Sequence, residues 1–278
     1  LPEKVKILVV RMAYGERELS RCVTWLLGAM HTLMNHPQVE LVQTTHLDRC
    51  PTDMARNEAA QLALKNGYDF LVMIDDDVVP DYRMRLPHKE DHEHPFFPAA
   101  LNFALAHDSE GHGPCVVAAP YCGPPPNELV YVNVWKNFET GDSNPNFHMK
   151  TVDRREAAIK KGFERVGALP TGLILIDCRV FEKLSHPYFA YEYSDETKSR
   201  KISTEDSVFS RNLDLVGVPQ YCTWGSWCLH RKFKDVGKPE LVDVKVIPQS
   251  FRDKILADTA RKLVEKGIDT GFLWEEFR

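Results

Sequence analysis

One stretch constrains this chain more than any other. Phe70-Leu71-Val72-Met73-Ile74 is followed at once by Asp75-Asp76-Asp77 and then by Val78-Val79-Pro80. Five consecutive apolar residues predict a strand covered on both faces, as in a parallel sheet. Three carboxylates at its end cannot sit unpaired in a core, because burying an unpaired charge is too costly. They must face solvent or a cation. In open α/β sheets the carboxyl ends of the strands are where ligands bind. Alternate residues of an extended chain point the same way, so Asp75 and Asp77 are expected to converge while Asp76 points elsewhere. Two hard oxygen ligands on one side suit Mg²⁺ or Mn²⁺ together with a substrate phosphate. A solvated acidic turn is the alternative.

The elements before this strand set the fold class. Val5 to Val10 predicts a first strand. Leu19, Cys22, Val23, Leu26, Leu27, Met30, Leu33 and Met34 then recur at helical spacing, predicting one buried face. Val39 to Thr44 predicts a second strand, and Asp53 to Asn66 a helix with Thr52 or Asp53 as cap and Gly67 as stop. This β-α-β-α-β order predicts an α/β sandwich of three layers around a mostly parallel sheet. Asp81 to Gly113 is rich in His, Pro and charge, including Lys89-Glu90-Asp91-His92-Glu93-His94. Without HExxH spacing it is expected to be a solvated, mobile loop rather than a second metal site. Further strands are expected at Cys115 to Ala119, Leu129 to Val134 and Leu173 to Ile176, with a short helix from Arg179 to Leu184. Tyr188 to Ile202 has no period and is expected to be a loop. Ser203-Thr204-Glu205-Asp206 opens a helix that Gly217 ends, and a final amphipathic helix is expected from Ser250 to Lys266.

A length of 278 residues allows one large domain or two small ones. A net charge of −5 speaks against a broad nucleic-acid-coating surface. The cysteines number seven, an odd count, and no pair has CxxC spacing. Reduced thiols and a cytoplasmic location are therefore expected. No run approaches the roughly 20 apolar residues of a membrane helix, so no membrane span is expected.

The ordered set of Ala55-Arg56-Asn57 on a helix, the apolar strand with Asp75-x-Asp77 and Pro80, then Gly172, Glu205-Asp206 and a late His230, resembles a family. It is similar to the GT-A-fold, nucleotide-sugar glycosyltransferases: the family 2 type, fungal mannan mannosyltransferases and bacteriophage-encoded enzymes. The resemblance implies one GT-A domain over 1–278, with a nucleotide-sugar half at 1–120, an acceptor half at 121–248 and a C-terminal helix at 249–278. It implies a metal-dependent transfer of a sugar from a nucleoside-diphosphate sugar, UDP foremost, to an acceptor hydroxyl. A glycan and a hydroxymethylated DNA base are both open as acceptors, and the phage-like resemblance adds an infected bacterial host as a setting. Mn²⁺ or Mg²⁺ would sit on Asp75, Asp77 and His230. Met12, Ala13, Tyr14, Arg56, Asn57, Asp75, Asp76 and Lys232 would bind the donor. Thr171, Gly172 and Glu205 would bind the acceptor, Gly172 by leaving room for close approach. Asp206, with Glu205 beside it, would be catalytic: Asp206 is the expected general base, kept ionised by the positive end of its helix. The chain lacks a Gln-x-x-Arg-Trp segment, which speaks against a processive polymer synthase.

Two other classes fit part of the pattern. Asp75-x-Asp77-x-Val79 matches the first motif of haloacid-dehalogenase-type phosphatases, in which Asp75 would be the nucleophile. That motif normally lies on a first strand, whereas a full βαβα precedes it here. A non-catalytic nucleotide-sugar or glycan-binding module is the third possibility.

Overall fold

The structure is a computed structural model. It describes residues 1–12, 20–48, 51–81, 94–123, 129–135, 149–194, 197, 200–231 and 235–236. The chain divides into two compact units, Leu1–Pro239 and Glu240–Arg278, and every described residue belongs to the first. The helix expected from Ser250 lies outside the described residues, as do Ala13, Tyr14 and Lys232.

The expected opening is present as β1 (Val5–Met12), α1 (Ser20–Met34), β2 (Val39–Leu47), α2 (Thr52–Lys65) and β3 (Phe70–Asp75). Next come β4 (Val78–Val79), α3 (Phe96–Ser109), β5 (Val116–Ala118), β6 (Asn133–Trp135), β7 (Met149–Thr151), α4 (Arg154–Ile159) and β8 (Phe163–Arg165). The remainder is β9 (Leu173–Asp177), α5 (Val180–Lys183), β10 (Glu192–Tyr193), β11 (Lys201–Ser203), α6 (Glu205–Leu215), β12 (Gln220–Thr223), β13 (Leu229–Arg231) and β14 (Asp235–Val236).

Seven strands form the central sheet in the order β2-β1-β3-β9-β5-β12-β8. β1 is parallel to β2 and β3, and β12 to β5, while β9 is antiparallel to both β3 and β5 and β8 is antiparallel to β12. All but β9 and β8 thus share one direction, which makes the sheet mostly parallel. Alternation along each strand feeds a core on either face. Leu8, Val10, Leu71 and Met73 pack with the alanines of α2 and with Phe209 and Leu213 of α6. Ile7, Val9, Phe70, Val72 and Ile74 pack with Trp25 of α1 and Phe96, Phe97 and Leu101 of α3. Both faces of β3 are covered, which is why its sequence is apolar without interruption.

The structure corrects three expectations. Asp81 to Gly113 is not a solvated loop throughout, because it contains α3, whose Phe96, Phe97, Ala100, Leu101, Ala104 and Leu105 are buried. Their spacing is helical, but the His- and charge-rich residues before them masked it. Tyr188 to Ile202 is not wholly irregular, since β10 and β11 pair as an antiparallel hairpin. On α1, Leu27 and Met34 are 69% and 68% exposed, so the buried face is narrower than the apolar spacing implied. One consequence is measurable. Phe97 is fully buried and stacks on Trp25 with ring centroids 5.1 Å apart. Phe97→Ala should destabilise the fold by about 3–5 kcal/mol in urea denaturation. A loss within the range of surface substitutions would show that α3 does not dock as described.

Candidate functional site

A cavity of about 590 Å³ opens at the carboxyl end of β3. Asp75, Asp76, Asp77, Glu205, Asp206, Arg56 and His230 all line it, so one recess gathers acidic groups from two distant parts of the sequence.

The strand end does not behave as a straight extension of β3. The chain turns at Asp76–Asp77, and the two outer carboxylates part company. Asp75 stays on the sheet, where its N–H donates to the Gly172 carbonyl at 2.9 Å. Its Oδ2 accepts from Arg56 Nη2 at 3.0 Å, while Oδ1 is buried with no hydrogen-bond partner. Burial raises the Asp75 pKa, and Arg56 opposes that rise. Asp77 is turned toward His230 instead. The cause is a short sheet in which β13 pairs antiparallel with β4, so that His230 lies opposite Val78. The Arg231 N–H closes the turn by donating to the Asp77 carbonyl at 2.7 Å.

His230 is buried, and its Nδ1 lies 2.7 Å from the Cys122 carbonyl oxygen. A carbonyl can only accept, so Nδ1 carries a hydrogen, and Nε2 is the nitrogen left to face Asp77. That Nε2 stands 3.6 Å from Asp77 Oδ2, too far for a hydrogen bond and a separation that two ligands of one ion can have. A backbone carbonyl on the far nitrogen is a usual way in which a ligating histidine is oriented. Asp77 and His230 therefore fit a hard divalent cation. Asp75 does not join them as the sequence implied: among the described residues no three His, Cys, Asp or Glu side chains form a metal-holding group. Asp75 is paired with Arg56 instead.

The first turn of α6 also lines the cavity. Glu205 is buried, and Asp206 is partly exposed to the cavity. The pKa of Asp206 is pushed up from 3.8 to about 7, first by burial and then by Glu205, with Arg56 pulling the other way. This corrects the expectation that the helix end would hold it low and ionised. A helix terminus contributes a fraction of a charge, and desolvation beside a second carboxylate outweighs it.

Several expected donor and acceptor residues have other positions. Arg56 lies on the buried face of α2 with Ala55, Ala59, Ala60 and Ala63 rather than on an exposed one. The amide of Asn57 is engaged by backbone: it donates to the carbonyls of Asp53 and Phe189, each at 2.7 Å, and accepts from the N–H of Tyr188 and Phe189 at 2.8 and 3.2 Å. With its donors and acceptor so occupied, it fastens α2 to the segment before β10 and has no free group for a nucleotide. Met12 is fully buried in the core and does not line the cavity; only its carbonyl is near the site, accepting from the Asp76 N–H at 3.1 Å. Thr171 is likewise buried, and its carbonyl accepts from Arg56 Nη1 at 3.2 Å. Gly172 does permit close approach, and the group that approaches is Tyr121: a Cβ at 172 would lie 2.7 Å from its hydroxyl.

Tyr121 is a site residue that sequence reasoning missed. Its hydroxyl accepts from the Gly172 N–H at 3.2 Å, and its ring packs against His230 with centroids 4.8 Å apart. Burial and the nearby carboxylates keep the phenol protonated. Tyr131, 40% exposed, continues this aromatic wall to the cavity mouth. The pair follows no local motif. Gly172→Ala should force the buried Tyr121 ring aside and cost about 1–3 kcal/mol, read in thermal or urea denaturation. An unchanged midpoint would show that the ring has room to move.

The six described cysteines are buried, and no described helix is long and apolar enough to cross a membrane. No protein-family model and no curated protein matches the sequence. Among solved structures, A197 from STIV is similar with a TM-score of 0.47 and 17% identity, over 85% of this chain and 96% of that one. Apo UDP-glucose pyrophosphorylase is similar with a TM-score of 0.38 and 10% identity, over 84% of this chain and 92% of that one. The same enzyme complexed with UDP-glucose gives a TM-score of 0.37 at 10% identity, over 84% and 92% of the two chains. Likenesses this distant decide neither activity nor ligand.

Proposed function

We propose that this protein is a GT-A-type, metal-dependent glycosyltransferase that moves a sugar from a nucleoside-diphosphate sugar, UDP foremost, to an acceptor hydroxyl. The observation that carries the proposal is the lining of the cavity. One recess holds Asp77 and an oriented His230 together with Asp206, whose pKa is pushed up to about 7. A transfer of this kind needs cation-binding groups on the leaving-group side and a base on the acceptor side.

Asp77 and His230 would hold Mn²⁺ or Mg²⁺ at the donor diphosphate. The bound ion would supply compensation for charge that develops on the departing diphosphate. Asp76, which lines the same cavity, would contact the donor. Asp206 accepts the acceptor's hydroxyl proton as that oxygen bonds to the anomeric carbon and the bond from that carbon to the diphosphate oxygen breaks. Glu205 raises the basicity of Asp206, and Tyr131 offers an aromatic surface at the mouth. The rival phosphatase needs Asp75 as a free nucleophile, yet that carboxylate is paired with Arg56 and lies on the third strand of the chain.

The test is a panel of nucleoside-diphosphate sugars with Mn²⁺, read by thermal stabilisation and then by transfer or donor hydrolysis. Ligand at 100 times its Kd should stabilise the fold by about 2.7 kcal/mol. The stabilisation should vanish in excess chelator. Phosphate release from an aryl phosphate without any nucleotide-sugar effect would favour the phosphatase, and binding without turnover would favour a binding module.

A further inference from the structure

We propose that Arg56 is a positioning residue, which locks the acidic end of β3 to the acidic first turn of α6, and not a ligand of the donor. The inference rests on glycosyl transfer as the activity, but its geometry is independent of it. Arg56 is 2% exposed, although it lines the floor of the cavity. Its guanidinium reaches three segments at once. Nη2 donates to Asp75 Oδ2 at the end of β3, Nη1 donates to the Thr171 carbonyl just before β9, and Nε lies 3.6 Å from Glu205 Oε1 in the first turn of α6. The arginine itself comes from α2, so four elements meet at one planar group.

The surroundings support a fixed part rather than a moving one. The alanine stripe of α2 holds the helix close to the sheet, so the side chain emerges at the floor and not at the rim. The segment that supplies the Thr171 carbonyl is tied to α6 a second time, since the Leu169 N–H donates to Ser210 Oγ at 3.1 Å. Asp75 is tied back to the same segment through its N–H and the Gly172 carbonyl. Nη1 and Nη2 each donate one hydrogen bond to the protein, and Nε is buried beyond hydrogen-bond reach of Glu205, so the group is held by the segments around it. What the arrangement sets is the spacing between the β3 end, with Asp75 to Asp77, and the acidic pair Glu205–Asp206. A misplacement of about 1 Å between reacting groups is enough to cost ~10²-fold in rate.

Lysine keeps the charge but replaces the planar fork with a single ammonium, so it cannot span three partners. Arg56→Lys is expected to bind donor with a Kd within about threefold of the parent, while kcat falls on the order of 10²-fold. Arg56→Met should retain less activity than the lysine variant. A donor Kd weakened tenfold or more in Arg56→Lys would overturn the proposal in favour of direct donor contact. A lowered melting temperature with normal kcat per folded molecule would overturn it in favour of a purely structural role. If the parent protein binds no nucleoside-diphosphate sugar, glycosyl transfer fails but the positioning claim is still read by a double-mutant cycle. Arg56→Met and Glu205→Gln should then shift the denaturation midpoint non-additively, and additive shifts would overturn the proposal.

Discussion

Asp77→Asn is expected to lower turnover by at least ~10²-fold while leaving the fold intact. The substitution keeps the shape of the side chain and removes only its charge. The backbone contact that shapes the turn, from the Arg231 N–H to the Asp77 carbonyl, does not involve the side chain. His230 stays anchored through Nδ1 on the Cys122 carbonyl, so the other half of the pair is not disturbed. What is lost is the anionic partner of Nε2, and with it the affinity of the pair for a hard divalent cation. The leaving diphosphate then departs with its charge uncompensated. The measurement is kcat with a nucleoside-diphosphate sugar over a Mn²⁺ titration, beside the melting temperature. Near-parental turnover in the variant, or full activity of the parent in excess chelator, would sink the assignment. His230→Ala is the less clean experiment, because it also leaves the buried Cys122 carbonyl without its donor.

What the sequence disclosed about this site follows a physical division. The strand Phe70 to Ile74 was legible because burial on both faces writes an uninterrupted apolar run, and the acids at its end were legible because charges cannot follow it into the core. The helices α2 and α6 were legible from period and from the glycines after them, Gly67 at φ 65° and Gly217 at φ 71°. The pairings within the site were not. Alternation put Asp75 with Asp77, but alternation holds only in extended chain, and a turn begins at Asp76. The burial of Arg56 did leave a trace: it shares helical register with Ala59, Ala60 and Ala63, a stripe of small residues that belongs against a sheet. Its partners, however, come from residues 75, 171 and 205, contacts that no local pattern encodes. Tyr121 was hidden for the same reason, since its role depends on Gly172 and His230. The raised pKa of Asp206 required knowing that the first turn of α6 faces a recess beside Glu205 rather than bulk water.

Asp206→Asn should abolish transfer, and it should also change how stability depends on pH. The first effect follows from the role of a base. The side chain keeps its size and its place in the first turn of α6, so donor binding should survive, while the proton of the acceptor hydroxyl has no acceptor. A general base typically contributes 10²–10⁴-fold, and a loss of that size is expected in kcat at saturating donor. In the parent protein transfer should rise as pH climbs through about 7, where Asp206 ionises, and level off above it. The second effect follows from linkage. The folded pKa of about 7 lies above the ordinary value of 3.8, so between those values the native state binds more protons than the unfolded one. The contribution of this group to stability is therefore fully present below the lower value and is lost as pH rises toward 7. Asparagine cannot titrate, so the variant should lack that decline and be the more stable protein above pH 7. Inversion at the anomeric carbon completes the expectation, because a carboxylate base that takes the acceptor proton as the diphosphate leaves serves a direct displacement. The product configuration is read by NMR. Retained configuration, near-parental transfer by Asp206→Asn, or parallel stability profiles for the two proteins would remove Asp206 from this role.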